Sequence, residues 1–201
     1  MSNNLFITGI STDVGKTIVA ATLCQKYGYD YWKPIQCGIE DGGDSTVISK
    51  LVTHPECTIH RPRYELKAPI SPHAAAKLEG VVISIADIQT SLPAVSKELI
   101  IEGAGGLLVP LNDSESVVDI AVKLDCKVIL VSRHYLGSIN HTLLSIEAIQ
   151  LRNLELAGIV FIGDENIETE SIIKSRIGKD IMHGRFPITE TININSFLQH
   201  I

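Results

Sequence analysis

Short runs of consecutive apolar residues recur along the chain: Leu5-Phe6-Ile7, Leu99-Ile100-Ile101, Val128-Ile129-Leu130-Val131 and Gly158-Ile159-Val160-Phe161-Ile162. They are rich in β-branched residues and show no polar alternation, the pattern of strands buried on both faces of a parallel sheet. Asp30-Tyr31-Trp32 is a shorter candidate. Between these runs the spacing predicts helices over 16–26, 44–52, 71–78, 85–92, 116–124, 139–153 and 165–177. Within 139–153, Ile139, Leu143, Ile146 and Ile149 fall near a 3.6-residue period and predict one apolar face. Strands alternating with helices imply right-handed βαβ units and a single doubly wound, mainly parallel α/β sheet with flanking helices. The stretch 55–72, rich in proline and charge, reads as an irregular connection. No repeat, low-complexity tract or Gly/Ser/Pro linker divides the sequence, so 1–201 is expected to be one domain.

Composition narrows the class. Hydrophobic residues make up 45% and charged residues 20%, inside the globular range. Seventeen Lys plus Arg against 23 Asp plus Glu give a formal charge of −6, which argues against nucleic acid or an anionic membrane as a partner. Any phosphate must therefore be held by a local site. Cys24, Cys37, Cys57 and Cys126 form no C-x-x-C pair and read as free thiols of a reducing compartment. The start of the chain has no basic segment, and its apolar stretch is too short for a signal or a membrane span, so a cytoplasmic protein is expected.

The local site follows the first apolar run. Gly9-Ile10-Ser11-Thr12-Asp13-Val14-Gly15-Lys16-Thr17 stands between a predicted strand and a predicted helix and ends in G-K-T. That is the chemistry of a P-loop: backbone N–H groups and a helix N-terminus surround phosphate oxygens, the lysine reaches the β/γ-phosphates and the hydroxyl ligates Mg²⁺. Five residues separate Gly9 from Gly15, one more than the usual four. Lys33-Pro34-Ile35-Gln36-Cys37-Gly38 follows the second candidate strand and should place Lys33 at the same sheet edge as Lys16. Glu102-Gly103-Ala104-Gly105-Gly106 follows Leu99-Ile100-Ile101. A carboxylate emerging there beside a P-loop is placed to hold Mg²⁺. Asp44 reads either as a helix N-cap, which spacing favours, or as a second metal-linked carboxylate. His73 either packs on the following helix or faces substrate; His54, His60, His134, His183 and His200 show no ligand spacing, and Trp32 reads as core.

Taken in order, Thr12-Asp13-Val14-Gly15-Lys16-Thr17, Lys33-Pro34 with Gly38, Ser71-Pro72-His73, Glu102 to Gly106 with Pro110-Leu111, and Leu136-Gly137-x-Ile139-Asn140-His141 resemble the dethiobiotin synthase family. The resemblance runs from Leu5 to about Val160. It implies a P-loop NTPase-like fold and a homodimeric ligase of biotin biosynthesis. Such an enzyme closes the ureido ring from 7,8-diaminopelargonate, CO₂ or bicarbonate, and a nucleoside triphosphate. Carried over residue by residue, Thr17, Asp44 and Glu102 resemble the Mg²⁺ ligands, which displaces the N-cap reading of Asp44. Asp13, Val14, Gly15, Lys16 and Thr17 resemble the nucleotide-binding loop. Lys16 and Lys33 resemble the cations flanking the transferred phosphoryl group and the carbamate, with Thr12 as the third catalytic candidate. Thr12, Lys33, Cys37 (serine in most members) and Gly105 resemble substrate contacts. Leu136, Gly137, Ser138, Ile139 and Asn140 resemble the loop and helix start that reach across the dimer to the substrate carboxylate.

The sequence also departs from the family. Many members carry an Asn-Asp pair that reads adenine after the strand corresponding to 156–160, where this chain has Phe161-Ile162-Gly163-Asp164. The implied co-substrate is ATP, with GTP or CTP open, and no residue after Asp164 matches the family. Among other classes, a regulatory partition or septum-positioning ATPase would carry an extra lysine early in the phosphate loop, whereas Lys16 is the only one between Gly9 and Thr17. An amide-forming cobalamin-pathway synthetase would need a fused glutaminase, for which 201 residues leave no room. An inactive nucleotide-binding relative is the third alternative.

Overall fold

A computed structural model describes residues 4–40, 42–178, 181–189 and 192–198; Met1, Ser2, Asn3 and His200 lie outside the described residues. The elements run β1 (Leu5–Gly9), α1 (Lys16–Tyr27), β2 (Asp30–Trp32), β3 (Ile35–Cys37), α2 (Gly43–Leu51), β4 (Ile59–His60), β5 (Tyr64–Leu66), α3 (Pro72–Leu78), α4 (Ile85–Thr90), β6 (Leu99–Gly106), α5 (Val117–Lys123), β7 (Lys127–Arg133), α6 (Ser138–Gln150), β8 (Leu156–Ile162), α7 (Ile167–Lys174), β9 (Met182–Phe186) and α8 (Ile194–Phe197). Seven strands form one sheet in the order β4-β2-β6-β1-β7-β8-β9, every neighbouring pair parallel, so the expected α/β class holds. β1 and β7, fed by the apolar runs, lie at its centre, where both faces must be covered.

Two apolar clusters provide that cover. One packs Val19, Leu23 and Cys24 of α1, Ile48 of α2 and Phe197 of α8 against Ile7, Tyr31, Ile100 and Ile129. The other packs helices α3 to α7 against Phe6, Trp32, Leu99, Ile101 and Leu130. Successive strand residues therefore point to opposite layers, the period of two that a pleated strand imposes. Trp32 is core, as expected, and its indole N–H donates to the Arg61 carbonyl at 3.0 Å. Among the described residues no helix is long and apolar enough to cross a membrane.

Several expectations change. The stretch 55–72 is not wholly irregular: it holds β4, which pairs with β2, and β5, which pairs with β3 in a separate two-stranded sheet. Both are too short for a hydrophobic pattern to register. Lys33 and Pro34 form the break between β2 and β3, and the Pro34 carbonyl accepts the Tyr64 N–H at 2.9 Å. β6 continues to Gly106, so Glu102 lies within a strand and not past its end. The apolar face expected of 139–153 is rotated. Ile146 and Ile149 are buried with Ser138, Thr142 and Ser145, while Ile139 is exposed. Thr142 is kept in the core by a 2.8 Å hydroxyl hydrogen bond with Ser132 of β7. The last strand, β9, has the sequence Met182-His183-Gly184-Arg185-Phe186, whose polar centre hid it.

Candidate active site

The phosphate loop accommodates its extra residue by folding back on itself. A Cβ on Gly9 would come within 2.4 Å of Val14 Cγ2, so only glycine lets Val14 tuck into the core beneath the loop. Asp13 (φ 55°) and Gly15 (φ 100°) turn through the left-handed region just before α1 begins. Ile162, at the end of β8, packs on Gly15, where an added Cβ would lie 3.2 Å from its Cγ1. From β7, Arg133 Nη1 donates to the Asp13 carbonyl at 3.2 Å. Lys16 is buried and donates from Nζ to the Ser11 carbonyl at 3.1 Å. Burial lowers its pKa despite the opposing pull of Glu102, Asp44 and Asp13.

Strand alternation delivers the opposing groups. Ile100 and Glu102 of β6 share the α1 face, and Tyr31 pairs in register with Ile100. Two residues beyond Tyr31, Lys33 leaves β2 on the same side and is buried between two carboxylates. Its ammonium donates to Glu102 Oε1 at 3.1 Å and to Asp44 Oδ2. Burial alone would lower the Lys33 pKa, but the charges of Glu102 and Asp44 outweigh it and raise the value. Thr17, in the first turn of α1, places its hydroxyl 3.0 Å from Glu102 Oε1 and 3.2 Å from Asp44 Oδ1. One hydroxyl proton cannot satisfy both at once.

Asp44 does not cap its helix. It is the second residue of α2, whose cap position is Gly42, and its carboxylate turns to Lys33 and Thr17. Its backbone N–H instead donates to Gln36 Oε1 at 3.0 Å, and Gln36 Nε2 donates to the Cys37 carbonyl at 2.9 Å. Gln36 thus joins β3 to the start of α2, a role no sequence motif announced. Tyr31 was missed in the same way, although its hydroxyl donates to Glu102 Oε2 at 2.9 Å. Arg133 was the third omission. A basic residue at a strand end is the only signal that could have found it.

These groups border an open cavity of about 880 Å³ that also meets Thr12, Asp13, Gly15, Cys37 and Gly105. Burial is the main cause that raises the Cys37 thiol, which keeps it protonated and a poor nucleophile. Ser71 and Pro72 reach the cavity, whereas His73 is exposed and does not line it. Leu136, Gly137, Ser138, Ile139 and Asn140 are not brought to this cavity. They line a second one, of about 800 Å³, with Leu136 fully exposed at its rim. Among the described residues no three His, Cys, Asp or Glu side chains gather as a metal site. The Thr17, Asp44 and Glu102 set is all oxygen, with two carboxylates and a hydroxyl. Such a set fits Mg²⁺, which takes few protein ligands and completes its shell with water and phosphate.

Comparison with known proteins identifies the chain's relatives. The profile of a family described as an AAA domain matches residues 3–195. An ATP-dependent dethiobiotin synthetase of Christiangramia forsetii is 49% identical over 185 residues, covering 92% of this chain and 87% of the relative. That of Cytophaga hutchinsonii is 51% identical over 178 residues, covering 88% and 85%. That of Rhodopseudomonas palustris strain TIE-1 is 42% identical over 193 residues, covering 96% and 90%. Among solved structures, the septum site-determining protein MinD of Pyrococcus horikoshii, complexed with Mg-ADP, superposes with a TM-score of 0.61 at 13% identity, covering 100% of this chain and 87% of that one. A plasmid partition protein of Borrelia burgdorferi gives 0.60 at 12% identity, covering 98% and 95%. At such low identity these two structures establish the P-loop NTPase-like fold alone, while the sequence relatives establish the lineage: the chain belongs to the ATP-dependent dethiobiotin synthetase family.

Proposed function

We propose that this chain closes the ureido ring of dethiobiotin from 7,8-diaminopelargonate, CO₂ and ATP, acting as a single P-loop domain of a cytoplasmic homodimer. The observation that carries the reading is the convergence of Lys16, Lys33, Thr17, Asp44 and Glu102 at the mouth of one cavity. As a family member the chain is an ATP-dependent ligase, and the chemistry asks for this arrangement. One amine of the substrate adds to CO₂ and loses a proton, giving a carbamate. The carbamate is a poor electrophile because it is anionic and has an oxide leaving group. Its oxygen attacks the γ-phosphorus of ATP and releases ADP, leaving a carbamic-phosphoric anhydride. The second amine then attacks the carbonyl carbon, expels inorganic phosphate and loses a proton as the ring closes. Holding both amines makes that closure effectively unimolecular.

The chain's own groups position and neutralise. Lys33 has three N–H donors, and Asp44 and Glu102 engage two, leaving one for a carbamate oxygen. Lys16, whose burial favours loss of charge, regains a strong reason to stay protonated when triphosphate oxygens arrive. Thr12, which lines the cavity beside Gly105, would hold the substrate amine region, with Cys37 as a neutral contact. Thr17, Asp44 and Glu102 would hold Mg²⁺, which supplies charge neutralisation and alignment of the phosphates when bound. Leu136 to Asn140, set apart from this cavity, would complete the substrate site of the partner subunit. That reading requires a dimer, and a monomer by light scattering would overturn it.

The direct test mixes the protein with Mg-ATP, bicarbonate and 7,8-diaminopelargonate and looks for dethiobiotin by mass. Formation of dethiobiotin is expected. Hydrolysis of ATP without that product would favour a switch ATPase.

A further inference from the structure

The fully buried phenol of Tyr31 has no part in the chemistry above, yet it is the group that meets Glu102 from inside the core. β2 and β6 run parallel with Tyr31 opposite Ile100, so the ring and the Glu102 side chain rise on the same face beneath α1. The two carboxylate oxygens then have different duties. Oε2 turns inward and accepts the Tyr31 hydroxyl at 2.9 Å, and Oε1 turns outward to Thr17 at 3.0 Å and Lys33 at 3.1 Å. A carboxylate oxygen can only accept here, so the phenol is the donor of this bond.

We propose that Tyr31 is a positioning residue: it fixes the Glu102 carboxylate so that Oε1 faces Thr17 and Asp44, and thereby sets the affinity for metal-bound nucleotide. The proposal rests on Glu102 being a Mg²⁺ ligand. Without the hydroxyl, Oε2 of the buried Glu102 would lose the donor that holds it inward, and the carboxylate would be free to rotate away from Thr17. Outer-shell groups of this kind alter metal affinity while leaving the fold in place.

The test compares Tyr31→Phe and Glu102→Gln with the unaltered protein. Calorimetry follows ADP binding with Mg²⁺ and with chelator, and an assay follows the Mg²⁺ concentration giving half-maximal dethiobiotin formation. For Tyr31→Phe the affinity for Mg-ADP should fall about tenfold, and the Mg²⁺ requirement rise similarly. Affinity for metal-free ADP and the far-UV spectrum should be unchanged. If Glu102→Gln shows a normal Mg²⁺ requirement, the metal reading itself fails and this proposal falls with it. If Glu102→Gln is impaired and Tyr31→Phe is normal, the positioning role alone is overturned. Should Tyr31→Phe not fold, Glu102→Asp probes the pair from the other side, since the shorter carboxylate cannot reach the phenol. A raised Mg²⁺ requirement is expected there, and a normal one refutes the proposal.

Discussion

Two clusters of buried charge are built into this fold on opposite plans. On the β2–β6 side, Lys33 sits between Asp44 and Glu102 while Lys16 and Thr17 stand beside them, all bordering an open cavity. On the β9 side, Glu170 of α7 is enclosed by Arg185, Lys174 and His134. Arg185 grips both oxygens, Nε to Oε1 and Nη2 to Oε2, each at 2.9 Å. Lys174 and His134 add a bond each at 3.2 Å. Glu170 has no capacity left and ties α7 to β9 and to the segment that follows β7. The first cluster keeps a spare ammonium donor and an overcommitted hydroxyl, facing solvent. A saturated ionic cluster fastens elements together, and an unsaturated one at a cavity is prepared for a ligand.

The largest effect is expected from Lys33→Met, which keeps the stem and removes the charge. Turnover per folded molecule should drop about 10²–10³-fold, the usual cost of losing one electrostatic contact to a transition state. Stability should also fall, contrary to what a surface lysine at a strand end would give, because the buried Glu102 carboxylate is left beside half-buried Asp44 without its counter-charge. Steady-state kinetics with thermal melting checks both. A melting loss with intact activity per folded molecule would remove Lys33 from the chemistry.

Glu170 predicts the reverse split. Burial alone would raise its carboxyl, but hydrogen bonds from Arg185, His134 and Lys174 hold it down at about 2 from an ordinary 4.5. A carboxylate depressed in the folded state contributes stability above about pH 4.5 and loses it as the pH falls toward 2. The difference corresponds to about 3 kcal/mol. Glu170→Gln should therefore lower the melting temperature by roughly 10 °C at neutral pH and flatten the acid limb of the stability curve. Dethiobiotin formation per folded molecule should change by less than about threefold. Stability that falls just as steeply in acid without Glu170 would refute the assignment.

The two regions also differed in how plainly the sequence spoke. The glycine-lysine-threonine loop, Lys33 and Glu102 stand at the ends of apolar runs, where the strand pattern itself points to the site. Asp44 was harder, because a carboxylate near the start of a helix looks like a cap until its N–H is seen to be served by Gln36. Tyr31 and Gln36 were invisible for a general reason: their partners lie 71 and 8 positions away and are chosen by strand pairing in the first case and by the docking of α2 beside β3 in the second, not by local spacing. β9 was missed because an edge strand carrying His183 and Arg185 has no apolar run to betray it. Gln36→Leu tests the hidden support. It should weaken Mg-ADP binding about tenfold with little change in melting temperature, since Asp44 loses the group that orients its backbone but keeps Lys33. Unchanged Mg-ADP affinity would reduce Gln36 to a loop contact.

The smallest expected effect concerns the nucleotide base. At the β8 end Ile162, a side chain without a donor or acceptor, is buried against Gly15 of the phosphate loop. Discrimination between bases of similar size needs polar groups that the wrong base leaves unpaired, and apolar contact alone distinguishes them weakly. The triphosphate, by contrast, would meet two lysines and a helix start that do not sense the base. kcat/KM for ATP, GTP and CTP should thus fall within about tenfold of one another. Ile162→Asn, which restores a donor and an acceptor at that strand end, should shift the ratio toward ATP while leaving the CO₂ and diamine kinetics unaltered. A preference for ATP above about a hundredfold in the unaltered protein would mean that groups elsewhere read the base, and that phosphate reading and base reading are not separate in this enzyme.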